Sequence, residues 1–319
     1  MDLYKVKNNK IEQVDRESFK LEKDIQSLVE KNLDTLFDLE LVSTEFKVGE
    51  FRLDTLCFDN ETNSFVIVEY KKGSSYSVID QGYSYLSVML NNKSDFILEY
   101  IEQTGKSIKK DDIDWSQSRI IFISQSFNSY QKNSINFKDV PFELWEIRKF
   151  SDNTISLNQH KSSSKESIQK IESGKNNIIQ DVNKEVKVLD EEDTMNGKKV
   201  STEIKELYYT IKDKVNSWDD LNITCKKNYI SFKNNKKSFV YFNFRKDYIK
   251  VHILSSIKHL EGGTWGGKGG TKKSFILDDP KNMFSIWENK YKQLYEYDLK
   301  DDKDLDYFVL MIKQKYDSV

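Results

Sequence analysis

Three ionisable side chains have the right types and spacing to do chemistry together. Asp54 lies in FRLDTLCF, residues 51–58, and Glu69 and Lys71 lie in FVIVEYKKG, residues 65–73. Both stretches read as strands. The first alternates and is rich in β-formers, and the second sets a run of apolar residues ahead of its charges. Between them DNETNS, residues 59–64, has the composition of a turn. The spacing predicts an antiparallel hairpin with a six-residue loop. If that turn is symmetric, residues whose numbers sum to 123 face one another, as Asp54 and Glu69 do. Opposed residues have Cβ atoms about 4.5–5.5 Å apart, close enough for two carboxylates to hold one ion. Strand period then places Arg52 with Asp54 on one face, and Glu69 with Lys71 on the matching face.

Two carboxylates so placed repel, and one tends to keep a proton. A divalent cation removes that conflict. Mg²⁺ (or Mn²⁺) takes hard oxygen ligands and keeps several waters, commonly using one or two carboxylates plus a substrate phosphate. A neighbouring lysine can orient or deprotonate an attacking water, or stabilise charge at phosphorus. Metal-assisted phosphodiester hydrolysis requires this equipment. A plainer reading also fits the spacing: an exposed hairpin with a cross-strand ion pair. Against it, the apolar second strand argues for a central position, where stray charge is costly. Gln81 and Tyr85, four apart on the next helix, also point the same way.

These residues need a frame. Residues 19–37 carry apolar positions at spacings of three and four and predict one amphipathic helix, with Ser18 as its N-cap. Residues 75–90 read as a second helix despite Gly82, and residues 119–124 and 141–149 as two further strands. The order of these elements predicts an α/β domain with a mixed sheet over residues 1–160. Residues 161–200 are polar and lack a firm period, which predicts a linker that could hold one exposed helix. Residues 201–319 read as a small α+β domain. Its expected elements are a helix over 203–215, strands over 229–232, 239–244 and 248–254, a glycine-rich loop over 259–274, and helices over 282–295 and 305–316.

Composition closes off several classes. The net charge is −2 with 32% charged residues, so bulk charge does not mark a nucleic-acid binder and any such surface must be local. Three histidines argue against a His-rich metal site. Cys57 and Cys225, far apart in apolar runs, exclude a disulfide framework and suit reduced thiols in a cytoplasmic protein. No apolar run approaches the 18 residues of a membrane span, so no membrane partner is expected.

Asp54, then EYK at 69–71, then Gln81-x-x-x-Tyr85 resembles the PD-(D/E)xK nuclease superfamily. The likeness is nearest to the catalytic domain of the NucS mismatch endonucleases, in the elements LEKDIQ, FRLDTL, IVEYKKG and QGYSY over residues 18–150. The resemblance implies a restriction-endonuclease-like mixed sheet flanked by helices. It implies Asp54 and Glu69 as metal ligands, with the Tyr70 carbonyl as a further one, and Lys71 as the catalytic lysine. Gln81 and Tyr85 would support the site and contact the DNA backbone, with Arg52 beside them. A first-helix acid belongs to the pattern: Glu22 fits it best, and Glu30, about 80° round the helix, is the alternative. The chain departs from the family in two respects. Leu53 stands where the superfamily's name has proline, and only about 17 residues precede the first helix, leaving no N-terminal barrel.

The second half resembles a domain of unknown function, sometimes labelled a predicted transport protein, through KKNYISF, GGTWGG and DLDYFVLMIKQKY. Residues 226–258 hold nine Lys and Arg against one acid, with seven aromatics interleaved. Such a mixture can bind phosphates and stack bases, which makes Lys226, Lys227, Lys236, Lys237, Arg245 and Trp265 candidates for nucleic-acid contact. Strands with aromatic inner faces and solvated lysines outside would read the same way. The expected function is a metal-dependent endonuclease hydrolysing DNA, in defence or repair, with RNA left open. A homodimer would supply the two sites that cutting both strands requires. The alternative is a non-catalytic nucleic-acid-binding or sensor protein that keeps the nuclease fold.

Overall fold

The segment SFVIVEYK, Ser64–Lys71, is buried at every position except its last. A strand this apolar must be covered on both faces, and the domain is organised around it. The computed structural model describes residues 2–71, 77–162, 164, 166–168, 177–234, 237–259, 271–289 and 292–319. They fall into two compact units, residues 1–188 and 189–319.

Strands of the first unit, in chain order, are β1 (Leu3–Lys7), β2 (Lys10–Val14), β3 (Arg16–Glu17), β4 (Glu40–Val48), β5 (Phe51–Asp59), β6 (Ser64–Lys71), β7 (Arg119–Ser124), β8 (Phe142–Phe150) and β9 (Ile155–His160). β1 and β2 form a separate hairpin, and the others build a sheet in the order β3-β8-β7-β6-β5-β4, with β9 also on β8. β6, β7 and β8 run parallel and the remaining pairs are antiparallel. This is the expected mixed α/β sheet.

Helices α1 (Glu22–Glu30) and α2 (Leu33–Phe37) serve one face, where Ile25, Val29 and Leu33 pack with Cys57, Val66, Val68 and Tyr70. Helices α3 (Val78–Asn91) and α4 (Lys93–Thr104) serve the other, where Val78, Leu86, Met89 and Phe96 pack with Phe58, Phe65, Ile67 and Phe122. Two short helices follow, α5 (Ser129–Ser134) and α6 (Asn177–Glu185).

Several expectations need correction. The single helix over 19–37 is two helices, and α1 begins after Leu21 rather than Ser18. There the Asp24 carboxylate accepts the Leu21 N–H at 3.0 Å. Asn32 ends the run by donating its side-chain amide to the Leu28 carbonyl at 2.8 Å, a local bond that competes with helix continuation. β4, ELVSTEFKV, was not anticipated. It lies at the edge of the sheet, where charged residues are tolerated and apolar patterning is weak. Residues before the first helix form β1–β3. The stretch read as a polar linker is divided by the unit boundary. In its first part Ile179 and Val182 of α6 and Val186 just past its end, spaced three and four apart, are buried in the α3-side core, so the helix is packed rather than exposed.

In the second unit, α7 (Glu191–Asn196), α8 (Thr202–Val215) and α9 (Leu305–Tyr316) accompany an antiparallel sheet. Its strands are β10 (Leu221–Cys225), β11 (Ile230–Asn234), β12 (Lys237–Phe244), β13 (Ile249–His259), β14 (Thr271–Lys273), β15 (Ser285–Glu288) and β16 (Lys292–Leu299). The order is β10-β11-β12-β13-β16-β15, with β14 on β13. The helix expected over 282–295 is instead β15 and β16. Gln293 and Tyr295 are buried two apart, as a strand requires, while Ile286 and Trp287 lie on the surface. The core of the expected glycine-rich loop, with Trp265, lies outside the described residues, as does Lys236. Among the described residues no helix is long and apolar enough to cross a membrane.

Gly82 has a packing reason to be glycine. A Cβ there would stand 2.5 Å from Cζ of Phe142. That ring is already held edge-on by Tyr83 and Phe122. Gly82→Ala should therefore destabilise the chain by about 1–3 kcal/mol through overpacking, although alanine favours the helix by about 1 kcal/mol. Thermal unfolding checks this, and an unchanged or raised melting temperature would contradict it.

Candidate active site

The hairpin has the expected centre. Thr55 pairs with Val68 and Asp59 with Ser64, so facing residue numbers sum to 123. The loop is shorter than expected, because both strands run one residue further into the turn. The β5–β6 ladder stops at Thr55 and Val68. Beyond that point β5 continues beside β4 to Phe51, and β6 continues beside β7 to Lys71. The two strands therefore part, and Asp54, Glu69 and Lys71 stand at the fork.

Asp54 spans the gap. Its Oδ2 accepts the Tyr70 N–H at 2.9 Å, in place of a backbone carbonyl. Glu69 is 5% exposed. Its Oε1 accepts from Lys71 Nζ at 3.0 Å, Gln81 Nε2 at 2.7 Å and the Tyr85 hydroxyl at 3.4 Å. Gln81 also donates to the Tyr85 hydroxyl at 2.8 Å. The other oxygen, Oε2, is buried with no hydrogen-bond partner among the described residues. Burial, and then the charge of Asp54, push the Glu69 carboxyl up to about 7, against the pull of Lys71 and Gln81. Burial also raises Asp54, opposed by the Tyr70 N–H and Lys71. Burial, followed by the Glu69 charge, raises Tyr85 to about 12.

The first helix contributes differently from expectation. Gln26 donates to the Asp54 carbonyl at 3.0 Å and to Glu30 Oε1 at 3.0 Å. Glu30 also accepts from the Thr55 hydroxyl at 2.6 Å. Thr55 alternates with Asp54, so Glu30 sits on the α1 side of the sheet, away from the Glu69 carboxylate. Glu22 opens α1 one turn before Gln26. Among the described residues no third Asp, Glu, His or Cys joins Asp54 and Glu69 in a metal-binding group, so neither Glu22 nor Glu30 completes the pair. Gln26 lies in the LEKDIQ element, but an amide carries no charge signal to single it out.

This donor set fits a hard divalent cation. Glu69 Oε2 is a buried acceptor without a donor among the described residues, and the charge of Asp54 is near enough to raise the Glu69 carboxyl. Mg²⁺ needs only one or two carboxylates and fills its shell with water and phosphate oxygens. An open cavity of about 440 Å³, lined by Lys71, Ser77, Asp80 and Gln81, adjoins the site.

The remaining candidates are spread out. Arg52 is exposed and ion-paired with Glu45 of β4. In the second unit Lys226, Lys227 and Arg245 lie at the β10–β11 and β12–β13 turns, at one end of the sheet, and Lys237 at the other end. β16 also sets Glu296 and Asp298 against Lys250. The basic run is therefore not one continuous patch.

Comparison with known proteins places the whole chain in a family. An uncharacterized protein of Haemophilus influenzae (strain ATCC 51907 / DSM 11121 / KW20 / Rd) is 37% identical over 322 residues, covering 98% of this chain and 99% of that protein. The chain belongs to that protein's family. A family model described as Domain of unknown function (DUF5655) matches residues 191–319, which make up nearly all of the second unit. Among solved structures, an EndoMS–dsDNA2 complex matches with 18% identity and a TM-score of 0.22, covering 41% of this chain and 47% of that one. Pyrococcus furiosus SfsA in complex with Ca²⁺ matches with 15% identity and a TM-score of 0.22, covering 43% and 60%. The chain thus spans less than two thirds of either structure, and the family's site must be argued from its own geometry.

The Glu69 environment makes stability depend on pH. Its folded value, about 7, lies above the ordinary 4.5, so between those values the folded chain binds more protons than the unfolded chain. This contribution to stability is complete below about 4.5 and is lost as pH rises through about 7. In chelator, the melting temperature of wild type relative to Glu69→Gln should fall across that window. A pH-independent difference would contradict the assignment.

Proposed function

We propose that this protein is a divalent-metal-dependent endonuclease that hydrolyses DNA phosphodiester bonds. The observation that carries the reading is the fork, where Asp54 meets a Glu69 carboxylate that keeps one buried oxygen unpartnered and holds Lys71 on the other. Asp54 and Glu69 would hold Mg²⁺ or Mn²⁺, with the Tyr70 carbonyl as a third donor. In an extended strand both backbone groups of a residue leave on the same side, and the Tyr70 N–H already faces Asp54. When bound, the cation supplies Lewis-acid stabilisation and lowers the pKa of a bound water.

The chain's own residues do the rest. Gln81 and Tyr85 fix Glu69 Oε1 and leave Oε2 free for the cation. Gln26 and the Tyr70 N–H fix Asp54 from its backbone and its carboxylate. Lys71 carries positive charge 3.0 Å from Glu69, at the mouth of the cavity, where it can orient the attacking water or stabilise charge on a non-bridging phosphate oxygen. A homodimer would supply the second site for cutting both strands.

Asp54→Ala, Glu69→Ala and Lys71→Ala should fold, as judged by circular dichroism. Each should lose Mg²⁺-dependent or Mn²⁺-dependent cleavage of DNA by about a hundredfold or more. Undiminished cleavage by all three would sink the proposal. A wild-type chain that binds DNA with either ion present and leaves it intact is a binding protein instead.

A further inference from the structure

A second group of charges lies on the same face of the same sheet. The parallel strands β6, β7 and β8 set Lys71 beside Ser124, and Ser124 beside Glu146. Paired residues of parallel strands share a face, so all three lie on the side that carries Glu69. Adjacent strands are about 4.8 Å apart, which puts the Glu146 position about 10 Å from Lys71. That is the rise of about three nucleotides of a DNA strand, at about 3.4 Å each. Lys71 and Ser124 end β6 and β7, and Glu146, midway along β8, is the last residue paired with β7, so the group is level with the carboxyl ends of β6 and β7, where open α/β sheets bind ligands.

Glu146 is 5% exposed and is approached by two cations, an imidazole and a backbone N–H. Lys132 Nζ lies 3.0 Å from Oε1, and Arg148 Nη2 lies 2.7 Å from Oε2. His160 Nε2 lies 3.0 Å from Oε1, and the Phe127 N–H donates to Oε1 at 3.3 Å. Burial opposes ionisation, yet Lys132, His160 and the Phe127 N–H bring Glu146 down to about 2. One carboxylate neutralises one cation. Two permanently charged side chains share this one, and neither has another ion-pair partner among the described residues. Their side chains remain 36% and 24% exposed. Charge compensation alone would need a single cation, so the group keeps a net positive charge within reach of solvent.

We propose that Lys132 and Arg148, anchored on Glu146, form a seat for the DNA phosphate backbone that continues the Asp54–Glu69–Lys71 site across the strands β6, β7 and β8. The proposal deepens the nuclease reading and rests on it for the choice of DNA. Glu146 fixes where the two cations stand, and their surplus charge attracts phosphates flanking the one to be cut. The guanidinium of Arg148 has donors beyond the one given to Glu146, and these suit phosphate oxygens.

The test is binding of the full chain to a short fluorescein-labelled DNA duplex, measured by anisotropy in chelator so that no cleavage occurs. The Lys132→Gln/Arg148→Gln chain keeps polar groups near Glu146 and drops both charges. Its Kd should rise about tenfold or more, and the slope of log K against log salt should become shallower by about two, near 0.9 per lost phosphate contact. The charge-keeping Lys132→Arg/Arg148→Lys chain should bind within a few-fold of wild type with the same slope. An unchanged Kd and slope in the glutamine chain overturns the seat, whatever the cleavage assay gives. If that chain melts early, Arg148→Gln alone decides: a slope shallower by about one supports the seat and an unchanged slope overturns it. If wild type does not cleave DNA with Mg²⁺ or Mn²⁺, but its binding still falls in the glutamine chain, the hydrolase reading fails and the seat stands. If wild type does not bind DNA, both fall.

Discussion

The site depends on one hydrogen bond, from the Tyr70 N–H to the Asp54 carboxylate. It forms where the β5–β6 ladder ends and β5 turns away with β4. Had the ladder continued, a backbone carbonyl would have taken that N–H, and Asp54 would have been one more residue on a regular strand. The side chain substitutes for the missing rung, and this brings the carboxylate beside Glu69. Parting the strands exposes polar backbone, and the cost is contained because Asp54 and Gln26 pair the groups at the fork.

The rigidity of the fork comes from elsewhere in the first unit. Gln81 and Tyr85 reach Glu69 because α3 lies close on the sheet, and Gly82, between them in sequence, lets it do so. The Phe142 ring occupies the space that a side chain at Gly82 would need. On the other face Ile25 and Val29 of α1 pack against Cys57, Val68 and Tyr70, which presents Gln26 to the Asp54 carbonyl. Packing on both faces thus sets the polar distances at the end of β6.

The sequence was most legible where local rules decide structure. Turn composition centred the hairpin and helix spacing put Gln81 and Tyr85 on one side, but the direct opposition of Asp54 and Glu69 that strand period implies does not form, because the ladder ends one residue earlier. Legibility failed where tertiary context decided. β4 carries too many polar residues to announce itself as a strand, and is one because β5 offers it an edge. β16 mixes aromatic and charged residues in a way that also suits a helix, and its pairing with β13 over eight residues settles it as a strand. α6 reads as part of a linker because only Ile179 and Val182 within it, and Val186 just past its end, are buried apolar residues. Gln26 was missed because nothing in a lone amide says which carbonyl it will meet. The basic run of the second unit is continuous only along the chain, because the turns divide it between two ends of the sheet.

Two buried glutamates sharpen the reading of the first unit. Glu69 and Glu146 lie on the same face, two strands apart, and each is 5% exposed. Burial raises the pKa of both, so it cannot explain why one sits near 7 and the other near 2. Their neighbours explain it. Glu146 is given two cations, a histidine and a backbone N–H, and is fully satisfied as an anion. Glu69 is given one lysine, Gln81 and Tyr85 on one oxygen, feels the charge of Asp54, and has no partner for its other oxygen among the described residues. A fold that can supply two cations and a backbone N–H to one buried carboxylate was not short of means to satisfy the other. The shortfall at Glu69 is local, and it lies where Asp54 is brought in by the fork. Divergent environments for paired acids go with divergent chemistry: Glu146 is held as an anion by charge already present, whereas the charge of Glu69 is opposed by burial and by Asp54.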